Sequence, residues 1–226
     1  MSLHEELSCY ASSSQRSILK QLTNNPDVCD NFFLTGGTAL SVFYLHHRTS
    51  DDLDLFTVNT GVKLDEISFW LKTELEQEQI IIRSSPKFLS LLIDEVKVDF
   101  VIDPLSIKEE RKRVTINSNS LMIDTLSNIV TNKLCTVVSR NEPKDYIDFY
   151  FLNKDIAEQE FDSIFYAARK KEALFDDPPT AAYQIEEGLR FIRGNTNLIP
   201  KLRVDFKLED MVEFYNRIAK LIYGYT

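Results

Sequence analysis

Cysteine is scarce in this 226-residue chain: Cys9, Cys29 and Cys135 are the only three, and they lie far apart. That excludes a disulfide framework and a cysteine-based zinc site, and it points to the reducing cytosol. Long hydrophobic runs are also missing; none approaches the ~20 residues that cross a bilayer. The opening MSLHEELSCY lacks a basic stretch followed by an apolar one, so no signal peptide is read and no membrane partner is expected. Glycine and proline number only 6 and 7, which leaves few linkers. Neither an internal repeat nor a low-complexity tract is present. Basic residues are outnumbered, 26 against 35 acidic ones, for a net charge of −9. Non-specific nucleic-acid affinity comes from neutralising phosphates, so a wide basic footprint is excluded while a small, focused contact is not.

What is present suits a globular fold. Hydrophobic residues make up 43% of the chain, enough for a sizeable core. The length fits one large domain, or one domain with a helical extension. Residues 5–22 read as an amphipathic helix. Phe32-Phe33-Leu34 reads as a buried strand that stops at Thr35-Gly36-Gly37, and 38–46 as a short helix. Leu53 to Phe56 is a strand, 64–77 a helix and 80–82 a strand. Segments 88–93 and 96–102 are two further strands joined as a hairpin at Asp94-Glu95. After Pro104 a charged segment, 108–113, leads into helices. Asp124 is read as the N-cap of a helix ending near Arg140, and further helices are expected at 143–152, 159–171, 180–191 and 208–223. The fold class is therefore α/β (α+β): a mixed sheet with flanking helices over residues 1–115, then a helical subdomain over 116–226.

Four features carry chemistry. Gly36-Gly37 lies between a strand and a helix, where glycine lets backbone approach a ligand and a helix start offers N–H groups to an anion; a plain tight turn is the alternative. In Thr49-Ser50-Asp51-Asp52-Leu53-Asp54-Leu55-Phe56, strand alternation puts Asp52 and Asp54 on one face and Leu53 and Leu55 on the other. Two such carboxylates repel each other, and a cation relieves the repulsion. Mg²⁺ prefers one or two protein carboxylates plus substrate phosphates. A solvated acidic face is the alternative. Asp99 interrupts the apolar strand Val96-Lys97-Val98-Asp99-Phe100-Val101-Ile102. It is either a third carboxylate for in-line phosphoryl transfer or, with Lys97, part of a face turned to water. Lys133 falls inside the apolar stripe Leu126, Ile129, Val130, Leu134 and Val137, where it either snorkels outward or meets an anion. The next helix places Asp145 and Asp148 three residues apart.

The order of these features, a glycine turn, then D-x-D, then a lone Asp on a later strand, resembles the nucleotidyltransferase superfamily that includes DNA polymerase β. The stretches LTGGTALSVFYLHHRTSDDLDLF, KVDFV and NKLCTVVSRNEPKDYIDFYFL resemble the AbiEii/AbiGii toxin family within it, over about residues 31–152. The resemblance implies that Gly36, Gly37 and Thr38 bind the nucleotide. It implies that Asp52 and Asp54 hold a metal, with Asp99 as third carboxylate, and that Lys133 meets the nucleotide phosphates. Asp145 matches the acidic residue of the last motif, with Asp148 in the same pattern. Three departures stand out: Lys144 in place of the family's frequent arginine, Gly37 where a serine is common, and a longer loop before the D-x-D. None removes a metal ligand.

The resemblance thus implies a Mg²⁺-dependent (or Mn²⁺-dependent) nucleotidyltransferase. Such an enzyme transfers a nucleoside monophosphate from an NTP to an acceptor hydroxyl, with RNA such as tRNA as one acceptor. It would act in the cytoplasm as the toxin of a toxin–antitoxin or phage-defence system, with a cognate antitoxin as partner. In that reading Asp99 or Asp145 orients or deprotonates the acceptor, and the helical subdomain contributes to the active-site cleft. The alternatives are a non-catalytic partner-binding protein on the same scaffold and a small-molecule, aminoglycoside-like nucleotidyltransferase.

Overall fold

The computed structural model describes residues 3–116 and 118–225, which fall into two compact units, Met1–Thr125 and Leu126–Thr226. In the first unit a 3₁₀ turn, Leu7–Cys9, precedes helices α1 (Ser13–Leu22) and α2 (Pro26–Asn31). The continuous helix expected over 5–22 thus begins only at Ser13. Ser12 caps it by accepting a hydrogen bond from the Gln15 N–H at 3.1 Å. Strand β1 (Phe33–Thr35) runs straight into the short helix α3 (Gly36–Leu40). A π-helical turn, Ser41–Leu45, extends α3 and is closed by His46 in the left-handed region at φ 54°. Next come β2 (Leu53–Thr57), α4 (Leu64–Glu74), β3 (Gln79–Ser85), β4 (Phe88–Ile93) and β5 (Val96–Ile102), followed by β6 (Lys112–Ile116) and β7 (Asn119–Ile123).

The seven strands form one mixed sheet in the order β3-β4-β5-β2-β1-β7-β6. β1 is antiparallel to β2 and parallel to β7, while β2 is parallel to β5. The β4–β5 hairpin turns at Asp94 and Glu95, both with positive φ (46° and 64°). A two-residue loop demands that twist. Phe32, Leu34, Leu55, Leu91, Val98 and Phe100 are fully buried in this unit, and Phe32 meets Phe100 edge-on at 5.3 Å between ring centres.

Strands β6 and β7 lie where the sequence reading has a charged segment and no strand, ahead of the first expected helix. β6 is an edge strand of which only Ile116 is buried, so its sequence reads as a charged loop. These two strands also carry the first unit on to Thr125.

The second unit holds α5 (Leu126–Ser139), α6 (Pro143–Asn153), α7 (Glu158–Arg169), α8 (Pro178–Gly194) and α9 (Leu208–Tyr223). Its core is aromatic, built on Tyr146, Phe149, Phe161, Phe165, Phe175 and Tyr215. Among the described residues no helix is long and apolar enough to cross a membrane.

Candidate functional site

The strand-to-helix turn is built around two missing side chains. Gly36 takes φ 67°, a region that L side chains rarely adopt. A Cβ there would collide with the Asp54 carboxylate, whose Cγ would stand only 2.9 Å away. A Cβ on Gly37 would lie 2.5 Å from Arg48 Nη2 and 2.8 Å from Ser50 Oγ. The room these glycines leave is therefore taken by Asp54 and by the Arg48 guanidinium. Arg48 is only 2% exposed and donates through Nη1 to the Thr49 carbonyl at 2.8 Å. Behind the turn, Thr35 Oγ1 donates to Asp124 Oδ2 at 2.7 Å. Asp124 Oδ1 accepts from Arg111 Nε at 2.9 Å, and the Arg111 guanidinium lies 3.7 Å over the Phe33 ring. Asp124 is accordingly an anchor for the turn, and it also accepts from the Thr125 N–H at 3.0 Å just before α5 starts at Leu126.

The D-x-D alternates as expected. Leu53, Leu55 and Thr57 are buried, while Asp54 and Phe56 are half-buried. Asp52 stands just before β2, and its carbonyl is gripped from two sides. Gln15 Nε2 donates to it at 3.1 Å and the Thr38 hydroxyl donates to it in a short hydrogen bond; Gln15 Nε2 also donates to Thr38 Oγ1 at 3.1 Å. Gln15 and Thr38 are both fully buried. The hydroxyl of Thr38, which the resemblance assigns to the nucleotide, lies on the Asp52 carbonyl.

Asp99 sits directly across from Asp54 in the parallel β2–β5 register and across from Ser90 on β4, so the three side chains share one face of the sheet. It is buried, at 7% exposure. Ser90 Oγ donates to Oδ1 at 2.6 Å and Lys97 Nζ donates to Oδ2 at 2.5 Å. The alternative of a water-facing Asp99 is thereby overturned. Burial works to lower the Lys97 pKa, but the hydrogen bond and charge of Asp99, with the charges of Asp52 and Asp54, outweigh it and raise the pKa. Lys97 thus lies in the field of all three carboxylates. Among the described residues, no group of three or more His, Cys, Asp or Glu side chains is arranged to hold a metal. The pair Asp52 and Asp54 is a donor set of the kind Mg²⁺ accepts. Asp99 already has a cation on it.

In the helical unit, Lys133 neither snorkels nor points outward. It is buried, with Nζ 2.8 Å from Asp145 Oδ1 and 2.6 Å from Asp148 Oδ2. Arg140 Nε takes the second Asp145 oxygen at 2.8 Å. Burial pushes the Asp145 carboxyl upward, but the charges of Lys133 and Arg140 prevail and hold it below the usual carboxylate range. A carboxylate with both oxygens on cations and a lowered proton affinity suits an anchor for Lys133 rather than a base.

Sequence reading missed Gln15, Arg48 and the Arg111–Asp124 pair, because nothing local marks which polar side chains a fold will bury. Lys97 was legible as sharing a face with Asp99, although not as its partner. A cavity of about 980 Å³ lined by His4, Phe43, Arg111, Lys112 and Arg113 lies beside β6 and contains none of the residues expected at the site.

The model of the family described as "Nucleotidyl transferase AbiEii toxin, Type IV TA system" matches residues 17–215. The chain belongs to that family. The match extends past the three sequence stretches that resemble the family, through the final helices into α9. An uncharacterized protein of Aquifex aeolicus is 28% identical over 138 residues, covering 61% of this chain and 65% of its own length, just under two thirds. The crystal structure of JHP933 from Helicobacter pylori has a TM-score of 0.54 at 19% identity, covering 93% of this chain and 89% of that one. The structure of ANT(2")-Ia in complex with adenylyl-2"-tobramycin has a TM-score of 0.50 at 12% identity, covering 70% of this chain and 99% of that one. At these identities the structural likeness shows the nucleotidyltransferase fold alone.

Proposed function

We propose that the chain is a Mg²⁺-dependent enzyme that transfers a nucleoside monophosphate from an NTP to a hydroxyl of RNA, tRNA in the first place, with release of pyrophosphate. One observation carries this reading. The Asp54 carboxylate fills the space left by Gly36, next to Asp52 and in register with Asp99, so the glycine turn and the D-x-D form one built object. Mg²⁺ held by Asp52 and Asp54 would neutralise charge on the triphosphate and leaving pyrophosphate; Mn²⁺ fits the same oxygens.

The chain's own residues do the rest. Gln15 and Thr38 fix the Asp52 backbone, which limits the reorganisation needed when substrate arrives. Gly36 and Gly37 keep the turn low so that backbone can approach the phosphates, with the Arg48 cation packed against Gly37. Within the helical unit, Lys133 is a lysine oriented by the Asp145 and Asp148 carboxylates. The family's type IV toxin–antitoxin description supports an antitoxin as functional counterpart, and an NTP substrate supports a cytoplasmic setting.

Calorimetry tests the substrate. NTP binding that requires Mg²⁺ and is lost in Asp54→Asn is the expected result. Absence of NTP binding by the wild type would favour a non-catalytic, partner-binding protein on this scaffold.

A further inference from the structure

Resting on the nucleotidyltransferase reading, we propose that Lys97 is a resident cation of the carboxylate site, occupying the Asp99 side where a second divalent ion would otherwise sit, so that the chain takes one divalent ion rather than two. Asp54 and Asp99 are nearest neighbours across two parallel strands, with side chains on the same face. Carboxylates so placed are where two ions would bridge in a two-metal site. Asp99 is already satisfied: Ser90 Oγ holds one of its oxygens at 2.6 Å and the Lys97 ammonium holds the other at 2.5 Å.

Lys97 reaches this position from within the same strand. Two residues before Asp99, it shares that face of β5, and the hairpin at Asp94-Glu95 fixes where β5 begins. Its side chain is 41% exposed against 10% for Asp99, so the ammonium stands on the solvent side of the carboxylate, where an ion would have to enter. The charges of Asp52 and Asp54 act on it as well as that of Asp99. A second divalent ion on the Asp99 side would have to displace or face the Lys97 ammonium. An ammonium is a compact charge with three rotatable donors. One donor engages Asp99, which leaves others able to turn toward a phosphate or acceptor oxygen.

The test counts Mn²⁺ ions bound per chain, from loss of the free-ion electron paramagnetic resonance signal. The chains are the wild type, Lys97→Met, Lys97→Arg and Asp52→Asn, each checked for fold by circular dichroism. The expected counts are one for wild type and Lys97→Arg, two for Lys97→Met, and none for Asp52→Asn. Lys97→Gln replaces Lys97→Met if the latter fails to fold. Two ions in the wild type, or still one in the folded neutral variant, would overturn the assignment while leaving the metal-dependent reading intact. No bound ion in the wild type would overturn that reading, and this inference with it.

Discussion

The Asp54 carboxylate occupies the space that a side chain on Gly36 would need. Turn and carboxylate therefore constrain each other: β1 pairs Thr35 with Asp54, and the next residue must take φ 67° to enter α3 without striking it. Gly36→Ala should be destabilised by roughly 1–3 kcal/mol, from left-handed strain and overpacking. It should lose nucleotidyl transfer by more than its loss of folded protein explains. Urea denaturation beside activity at matched folded fraction checks this. An alanine variant with wild-type midpoint and rate would contradict the close packing.

The grip on the Asp52 carbonyl gives a second expectation. Thr38→Val keeps the shape and removes the hydroxyl donor, while the Gln15 amide stays on that carbonyl. Stability should fall by about 1 kcal/mol, and Mn²⁺ affinity should weaken with it, because the carboxylate's backbone is released. Thr38→Ser, which restores the donor, should recover metal affinity. Unchanged Mn²⁺ binding in Thr38→Val would show that Thr38 does not position Asp52.

Lys133 holds two buried carboxylates, so removing it alone leaves uncompensated charge. Lys133→Met should destabilise the chain by roughly 3–5 kcal/mol, and adding Asp145→Asn and Asp148→Asn to it should recover much of that loss. The pH dependence follows from the lowered Asp145 pKa. A carboxyl whose folded pKa is depressed stabilises the fold fully above its unfolded value, about 3.9. That contribution is lost as the pH falls from there through the depressed folded value. Acid denaturation of Asp145→Asn should therefore show a shallower limb below about pH 4 than wild type. Parallel limbs would contradict the ion pairing.

Gly188 plays a purely structural part. A Cβ there would collide with the Tyr146 hydroxyl, which donates to the Val137 carbonyl at 3.1 Å. Gly188→Ala should cost about 1–3 kcal/mol, and Tyr146→Phe in the same chain should relieve part of that by removing the clashing oxygen. A thermal melt of the single and double variants distinguishes this from a general helix effect, which would favour alanine.

The parts legible in the sequence were those with local physics. The glycine turn, the alternation of Asp52-Leu53-Asp54-Leu55 and the Asp94-Glu95 hairpin each follow from backbone rules acting over a few residues. β6 was not legible, because an edge strand carrying Lys112, Arg113 and Thr115 outward has no buried alternation to betray it. The Lys133 partners were not legible either. Helical periodicity places Lys133 on the inner stripe but says nothing of which carboxylates α6 brings to it. Arg48 is the clearest case: its burial depends on Gly37 lacking a side chain, a relation between residues eleven positions apart that no periodicity encodes.

We propose that Asp52 and Asp54, set against the glycine turn, support metal-dependent nucleotidyl transfer to RNA. The most direct measurement incubates wild type and Asp52→Asn with each α-labelled nucleoside triphosphate, Mg²⁺ and total cellular RNA and protein. The account predicts label in the RNA fraction with wild type and none with Asp52→Asn. Transfer by Asp52→Asn at the wild-type rate, or no transfer by wild type from any of the triphosphates, would contradict it.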